Sequence, residues 1–439
     1  MIFLAGIFIV IALVFIALKS GFKLPFSSIG KPVELTYWGL WEDPNIIQPL
    51  IDSFEKDNPT IKIKYEMRDI SSHFQTVQTR LQSTQSPDIV RIHSTWVASF
   101  ANLLSGAPKD VFDNQTFAST FHPIASKMLI KNNQILAVPL EIDGLALIYN
   151  KDLFQKEKLT EPPSTWDKFR DDARLLTKKD ANNNLTQGGA ALGFSQNISH
   201  FSDILGLMLA QNGVQFEDSK GQVQFHKTIS PDARNLGAEA LTFYNLFASS
   251  EKSYDPSWEN SLQAFINGKV AMIFAPSYQV LTILGQNPNL NFGVAAVPQL
   301  PGAQGGNTIT WASFWVEAVP KKSTHQKEAW QFLKYLTQKE NQAALYRSAV
   351  NFRAFGEPFS RADLATGLSS DLYTAAFASQ GPNYTSWFMA ADTHDGVFND
   401  AIIKLFSQAL EKVQNGQTSE SALNEIAPLV QKILDEQRK

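Results

Sequence analysis

Between Val33 and Ile92 the chain alternates strand, helix, strand, helix, strand, and this alternation narrows the fold more than any other feature. Val33–Trp38 (VELTYW) reads as a strand. Asp43 is then an N-cap ahead of Pro44 at the first helical position. Ile47, Leu50, Ile51 and Phe54 follow at helical spacing until Asn58-Pro59 stops the run. Ile61–Tyr65 (IKIKY) is the second strand, a helix lies around Phe74–Leu81, and Pro87-Asp88-Ile89-Val90-Arg91-Ile92 is a short buried strand. Parallel strands need a helical crossover, so the alternation predicts an α/β unit with helices covering a parallel sheet.

The same grammar resumes after Val138. Ala146-Leu147-Ile148-Tyr149 is a buried run that breaks at Asn150-Lys151-Asp152. Pro162-Pro163 then interrupts the chain, and Ser164-Thr165-Trp166-Asp167 opens a helix. Helices are expected over Asp203–Gln211, Pro231–Phe247 and Trp258–Asn267, and strands over Val270–Phe274 and Phe292–Val297. A helix from Glu328 buries Ala329, Phe332, Leu333 and Leu336, the Asn351–Gly396 region is polar and loop-rich, and a last apolar stripe runs from Ile402 to Val413. At 439 residues the chain exceeds what one core supports, so two or more domains are expected.

Ile2–Leu18 is unbroken apolar residues and glycine, at the lower length limit for crossing a bilayer. No small-x-small cleavage site follows it, because Ala17 runs into Leu18 and Lys19. The segment therefore reads as a retained transmembrane anchor (residues 1–20) rather than a cleaved signal, with a Gly/Pro/Ser tether over 21–32. Lys19, Lys23 and Lys31 all follow the run and nothing basic precedes it, which is the reverse of the charge pattern for a chain exported on its C-terminal side.

Several function classes are disfavoured. The charge balance of −4, without a basic stripe, predicts no nucleic-acid binding. The absence of Cys removes disulfides, thiolate nucleophiles, thiolate metal sites and lipid attachment through an N-terminal Cys. No nucleophile elbow, phosphate loop or dinucleotide fingerprint occurs, and the seven His are scattered. Asp180-Ala-Asn182-Asn-Asn184 begins like a calcium loop but lacks the closing bidentate Glu, so it reads as a turn. Neither catalysis nor a cofactor or metal finds support.

Aromatic residues at strand ends do stand out. Trp166, Trp258 and Trp330 sit at core-like helical positions, whereas Trp38, Trp41, Trp96, Trp311 and Trp387 fall at strand ends or in loops. In open α/β sheets, ligands bind beyond the carboxyl ends of strands. Trp38 and Trp41 follow the first strand; His93, Ser94, Thr95 and Trp96 follow PDIVRI; Asp143 precedes the crossover strand; Tyr278 follows VAMIF. Flat rings beside a few hydrogen-bonding groups suit a sugar, which has an apolar C–H face and a rim of hydroxyls. Arg353 is the only Arg near a plausible cleft loop and reads as structural.

The order of blocks resembles the family 1 extracellular solute-binding proteins of ABC importers, the group that includes maltose-binding protein. The resemblance covers nearly all of residues 33 to 435. It is carried by LTYWGLWEDPNIIQPLIDSFEKDNPTIKIKY, SPDIVRIHSTW, ILAVPLEIDGLALIYNKDLF, EPPSTWDKF, FINGKVAMIFAPSY, FGVAAVPQLPG, KEAWQFLKYLTQKENQ and FNDAIIKLFSQALEKVQNGQTSESAL.

The resemblance implies a two-lobed α/β clamshell of the class II periplasmic-binding-protein type, carried here on an N-terminal transmembrane helix. One lobe would be 33–142 plus 298–347 and the other 143–297 plus 348–439, with ligand in the cleft between them. Matched position by position, the ligand contacts would be Trp38, Trp41, His93, Ser94, Thr95, Trp96, Asp143, Tyr278, Trp311 and, as the weakest match, Trp387. The implied protein is a monomer on the extracellular side of the cell membrane. It would bind a small carbohydrate and pass it to an ABC permease, with no cofactor and no catalysis. Two other functions compete: a ligand-sensing receptor of the same fold, and an extracellular carbohydrate-active enzyme. The enzyme would need two facing carboxylates, and of the residues matched here only Asp143 is acidic.

Overall fold

The computed structural model describes residues 32–228, 233–302 and 308–438. The expected anchor Ile2–Leu18 lies outside these residues; within them, no helix is long and apolar enough to cross a membrane.

The alternation at the start of the chain builds the first sheet. Val33–Gly39 pairs in parallel with both Ile61–Met67 and Ile89–His93. The connecting helix Pro44–Asp57 is capped by Asp43, whose carboxylate accepts from the Asn45 N–H, and it buries Ile46, Ile47, Leu50, Ile51 and Phe54. Two late strands complete the sheet. Trp315–Ala318 runs antiparallel to Ile89–His93 on one side and to Ala137–Val138 on the other. A strand from the C-terminal half thus lies inside the N-terminal sheet, between Ile89–His93 and Ala137–Val138.

The second sheet has Ala146–Asn150 at its centre, with Met272–Ala275 and Phe292–Ala295 antiparallel on its flanks. Helix Trp166–Leu176 covers it; its cap Thr165 accepts from the Lys168 N–H at 3.3 Å, so the PPSTW stretch starts this helix. Trp166 and Phe169 pack against Phe274 of the sheet. The terminal helices Asn399–Gln414 and Ser419–Gln437 pack on each other and on Leu236–Ser249 of this half.

Backbone pairing fixes where the chain crosses between the sheets. The segments 139–145 and 312–314 run side by side: Leu145 N–H donates to Trp311 O and Ser313 N–H to Asp143 O, both at 3.0 Å. Residues 298–302 and 308–311 stay with the second sheet, because Gln299 exchanges backbone bonds with Ser164 and Trp166, and Thr310–Trp311 pairs with Tyr384–Thr385. The return crossing therefore falls at 312–314 and not at 298. Likewise residues 348–361 stay beside the first sheet, since Phe359 bridges Glu141 and Ser360 Oγ donates to the Pro139 carbonyl. Loop composition does not reveal either point; strand pairing does.

Candidate ligand-binding site

Where the crossing segments meet, the two halves enclose a cavity of about 540 Å³, within the range of small-molecule sites. The first half contributes Trp41, Ile70, Glu141, Trp315, Arg353 and Glu357. The second contributes Asp143, His200, Asp203, Tyr278, Trp311 and the 391–394 segment. Trp41 and Tyr278 stand at its walls with 47% and 43% of their surface exposed, enough to offer a ring face to a ligand. Trp315 meets Trp41 edge to face at 5.2 Å. Trp311 lines the floor but is fully buried. Its indole lies so close to Gly206 that a Cβ there would sit 2.6 Å from the ring, which explains why a glycine interrupts the apolar helix Phe201–Gln211.

Of the ten residues expected from the sequence, Trp41, Asp143, Tyr278 and Trp311 line the cavity. The other six lie elsewhere. Trp38 is buried on the outer part of the first sheet, where its indole N–H donates to Glu66 and the Arg68 guanidinium covers its ring at 4.4 Å. His93, Ser94, Thr95 and Trp96 are all essentially buried. Trp315 packs edge to face on both His93 (5.2 Å) and Trp96 (5.1 Å), so it is Trp315 that meets the cavity in their place. Thr95 Oγ1 and the Trp96 indole are engaged by Asn399 and Asp395 of the other half. Trp387 stacks on Phe216 at 4.7 Å and donates to Glu217 within the second half.

The lining carries more charge than Asp143 alone. Five carboxylates reach the cavity: Glu141, Asp143, Asp203, Glu357 and Asp392. Two of the basic groups there, Arg353 and His200, are already paired with carboxylates. Arg353 lines the site and is held there 3.3 Å from Glu42 and 3.4 Å from Glu357. Behind the wall Arg91 is clamped between Glu141 and Glu317, the latter at 2.8 Å. Asp143 has neutral partners only: the Gly144 N–H on Oδ1, and the Ser277 N–H and hydroxyl on Oδ2. Burial, reinforced by the charge of Glu357, pushes the Asp143 carboxyl up to about 7 against those bonds. Burial also raises Glu357, partly offset by Arg353, and drives His93 down to about 3, so that ring is neutral. Among the lining residues not expected as contacts, Glu141 and the His200-x-x-Asp203 pair lie in or beside recognisable elements. Arg353, Glu357 and Asp392 come from a loop-rich region with no periodicity to mark them.

Among the described residues no group of His, Cys, Asp or Glu could hold a metal ion. The arrangement can stack on an apolar ring face, accept hydrogen bonds from hydroxyls through its carboxylates, and donate through Arg353.

The model of bacterial extracellular solute-binding proteins matches residues 38–343. The chain belongs to that family. It is 26% identical over 312 residues to the multiple sugar-binding protein of Streptococcus mutans, covering 66% of this chain and 67% of that one. It is also 26% identical over 359 residues to the sn-glycerol-3-phosphate-binding periplasmic protein UgpB of Salmonella typhimurium, covering 74% and 75%. Among solved structures, the fold is shared with the sugar-binding protein MalE from Xanthomonas citri, with a TM-score of 0.73, 19% identity, and 92% and 98% of the two chains aligned.

Proposed function

We propose that this protein is the extracellular capture component of an ABC import system, taking a neutral sugar or oligosaccharide in the cavity between its halves and delivering it to a membrane permease. The observation that carries this reading is the cavity itself, where Trp41 and Tyr278 offer exposed ring faces from opposite halves above a rim of carboxylates. A ligand that touches both halves stabilises their approach, and hinge motion about the crossing segments then couples occupancy to shape. Lobe 1 would then be 33–142 with 312–361, and lobe 2 would be 143–228, 233–302 and 308–311 with the C-terminal helices. The run Ile2–Leu18 is the feature that would hold the protein at the membrane.

One relative is named for binding sn-glycerol-3-phosphate and another for binding sugars. The lining favours the uncharged ligand. Arg353 and His200 are both already paired with protein carboxylates, so a phosphate would face an acidic wall. Calorimetric titration with neutral oligosaccharides and with glycerol 3-phosphate tests this. Binding of a neutral sugar and not of the phosphate is expected; binding of the phosphate alone would overturn the assignment.

A further inference from the structure

One buried carboxylate beside the cavity bonds three of its lining residues at once. Asp203, 1% exposed near the start of helix Phe201–Gln211, accepts the Trp311 indole N–H on Oδ1 at 2.8 Å. Its Oδ2 accepts His200 Nδ1–H at 2.8 Å and the Ala391 N–H at 3.2 Å. His200 carries the arrangement onward. Its Nε2 lies 3.1 Å from the Tyr278 hydroxyl, which in turn donates to Asp392 Oδ2 at 2.9 Å. We propose that Asp203 and His200 are a positioning pair, which sets the floor ring Trp311 and the wall formed by Tyr278 and Asp392 for ligand capture.

The hydrogen-bond inventory accommodates a protonated His200. With Nδ1–H on Asp203 and Nε2–H on the Tyr278 oxygen, each donor meets an acceptor, and the Tyr278 proton goes to Asp392. Gln279 places its amide nitrogen 3.0 Å from His200 Nε2, while its buried Oε1 has no partner. Turning that amide end for end gives Nε2–H a second acceptor and satisfies the orphaned oxygen. The groups facing the ring are Asp203 on its own helix, Tyr278 and Gln279 on helix Ser277–Gln286, Asp392 from the loop, and the nearby charge of Asp143. Burial alone would lower the His200 pKa. The Asp203 bond and the Asp392, Asp203 and Asp143 charges outweigh it and hold the ring above the ordinary imidazole value.

The pair acts on a ligand only through Trp311, Tyr278 and Asp392, so the proposal rests on the carbohydrate-cleft reading. Its test is built to be separable from that reading. Histidine ring signals are followed by NMR against pH in the wild-type protein, in Asp203→Asn and in His200→Gln, the last identifying the His200 resonance. The wild type should show His200 titrating above the ordinary imidazole value of about 6.5, and Asp203→Asn should move it down by a unit or more. Both variants should shift the Tyr278 ring signals, and Asp203→Asn also the Trp311 indole N–H. With maltotetraose as the probe, wild-type affinity should fall as pH rises through that titration, whereas His200→Gln should bind weakly at every pH. If Asp203→Asn fails to fold, the wild-type and His200→Gln titrations still decide. A wild-type His200 titrating at or below the ordinary value, or unchanged Tyr278 signals in His200→Gln, would overturn the proposal. Failure of maltotetraose to bind would count against that sugar alone, and the NMR titrations would still decide the positioning role.

Discussion

Trp96 donates its indole N–H across 3.2 Å to Oδ2 of Asp395, joining the end of the first sheet to the foot of a helix in the other lobe. Asn399 adds a bond to Thr95 Oγ1 at 2.8 Å beside it, and Asp395 also accepts from Thr393 and from the backbone of Phe398 and Asn399. The loop after Ile89–His93 thus meets the protein's own chain at Asp395 and Asn399. Trp96→Phe should cost about 2–3 kcal/mol of unfolding free energy, as one buried charge-assisted bond is lost and the smaller ring leaves space behind it. Urea unfolding would register this, and calorimetry should find ligand affinity nearly unchanged. A collapse of affinity with intact stability would instead make Trp96 a ligand contact.

Trp41 is the opposite case. Half exposed at the cavity wall, it contributes little to the core, so Trp41→Ala should leave the melting temperature nearly unchanged. Losing a ring face on which a sugar stacks should weaken binding by roughly tenfold or more, about 1–2 kcal/mol. Equal affinity in the variant would place the ligand elsewhere.

Asp143 makes stability depend on pH with a definite sign. Its folded carboxyl titrates near 7, above the unfolded value of about 3.9, so the folded state holds the proton more tightly. The stability this contributes is fully present below about pH 4 and is lost as pH rises to about 7. Asp143→Asn mimics the protonated form. Its unfolding free energy relative to wild type should therefore improve steadily between those two pH values and level off above them. A difference that is flat in pH would show that Asp143 is not a strained carboxylate.

Arg91 lies between Glu141 and Glu317 beneath the cavity wall, with all three side chains nearly buried. Removing its charge leaves two carboxylates desolvated, so Arg91→Met should cost about 3–5 kcal/mol. Replacing both acids together with Arg91 by apolar or amide residues should recover much of that loss. Denaturant titration of the single and triple variants measures both.

The legible parts of the fold were those with local rules. Helix Pro44–Asp57 follows from Asp43, Pro44 and the spacing of Ile47, Leu50, Ile51 and Phe54. The PPSTW restart matches the Thr165 cap. Strand partners were not legible: nothing local to Trp315–Ala318 says that it inserts beside Ile89–His93, yet that insertion buries His93 and Trp96 and brings Trp315 to the cavity in their place. The site divides in the same way. Trp41, Asp143 and Tyr278 stand at strand ends, where the rule for α/β sheets looks for ligands. Arg353, Glu357 and Asp392 reach the cavity through long-range packing of a loop-rich region, which carries no periodic signal.

The most direct test of the carbohydrate-cleft account is calorimetric titration of the purified protein with a panel of neutral oligosaccharides, run beside Trp41→Ala and followed by recovery of the ligand. The account predicts that at least one sugar binds one to one, that Trp41→Ala weakens it, and that it is recovered chemically unchanged. A panel on which nothing binds, or a sugar that comes back cleaved, would contradict it.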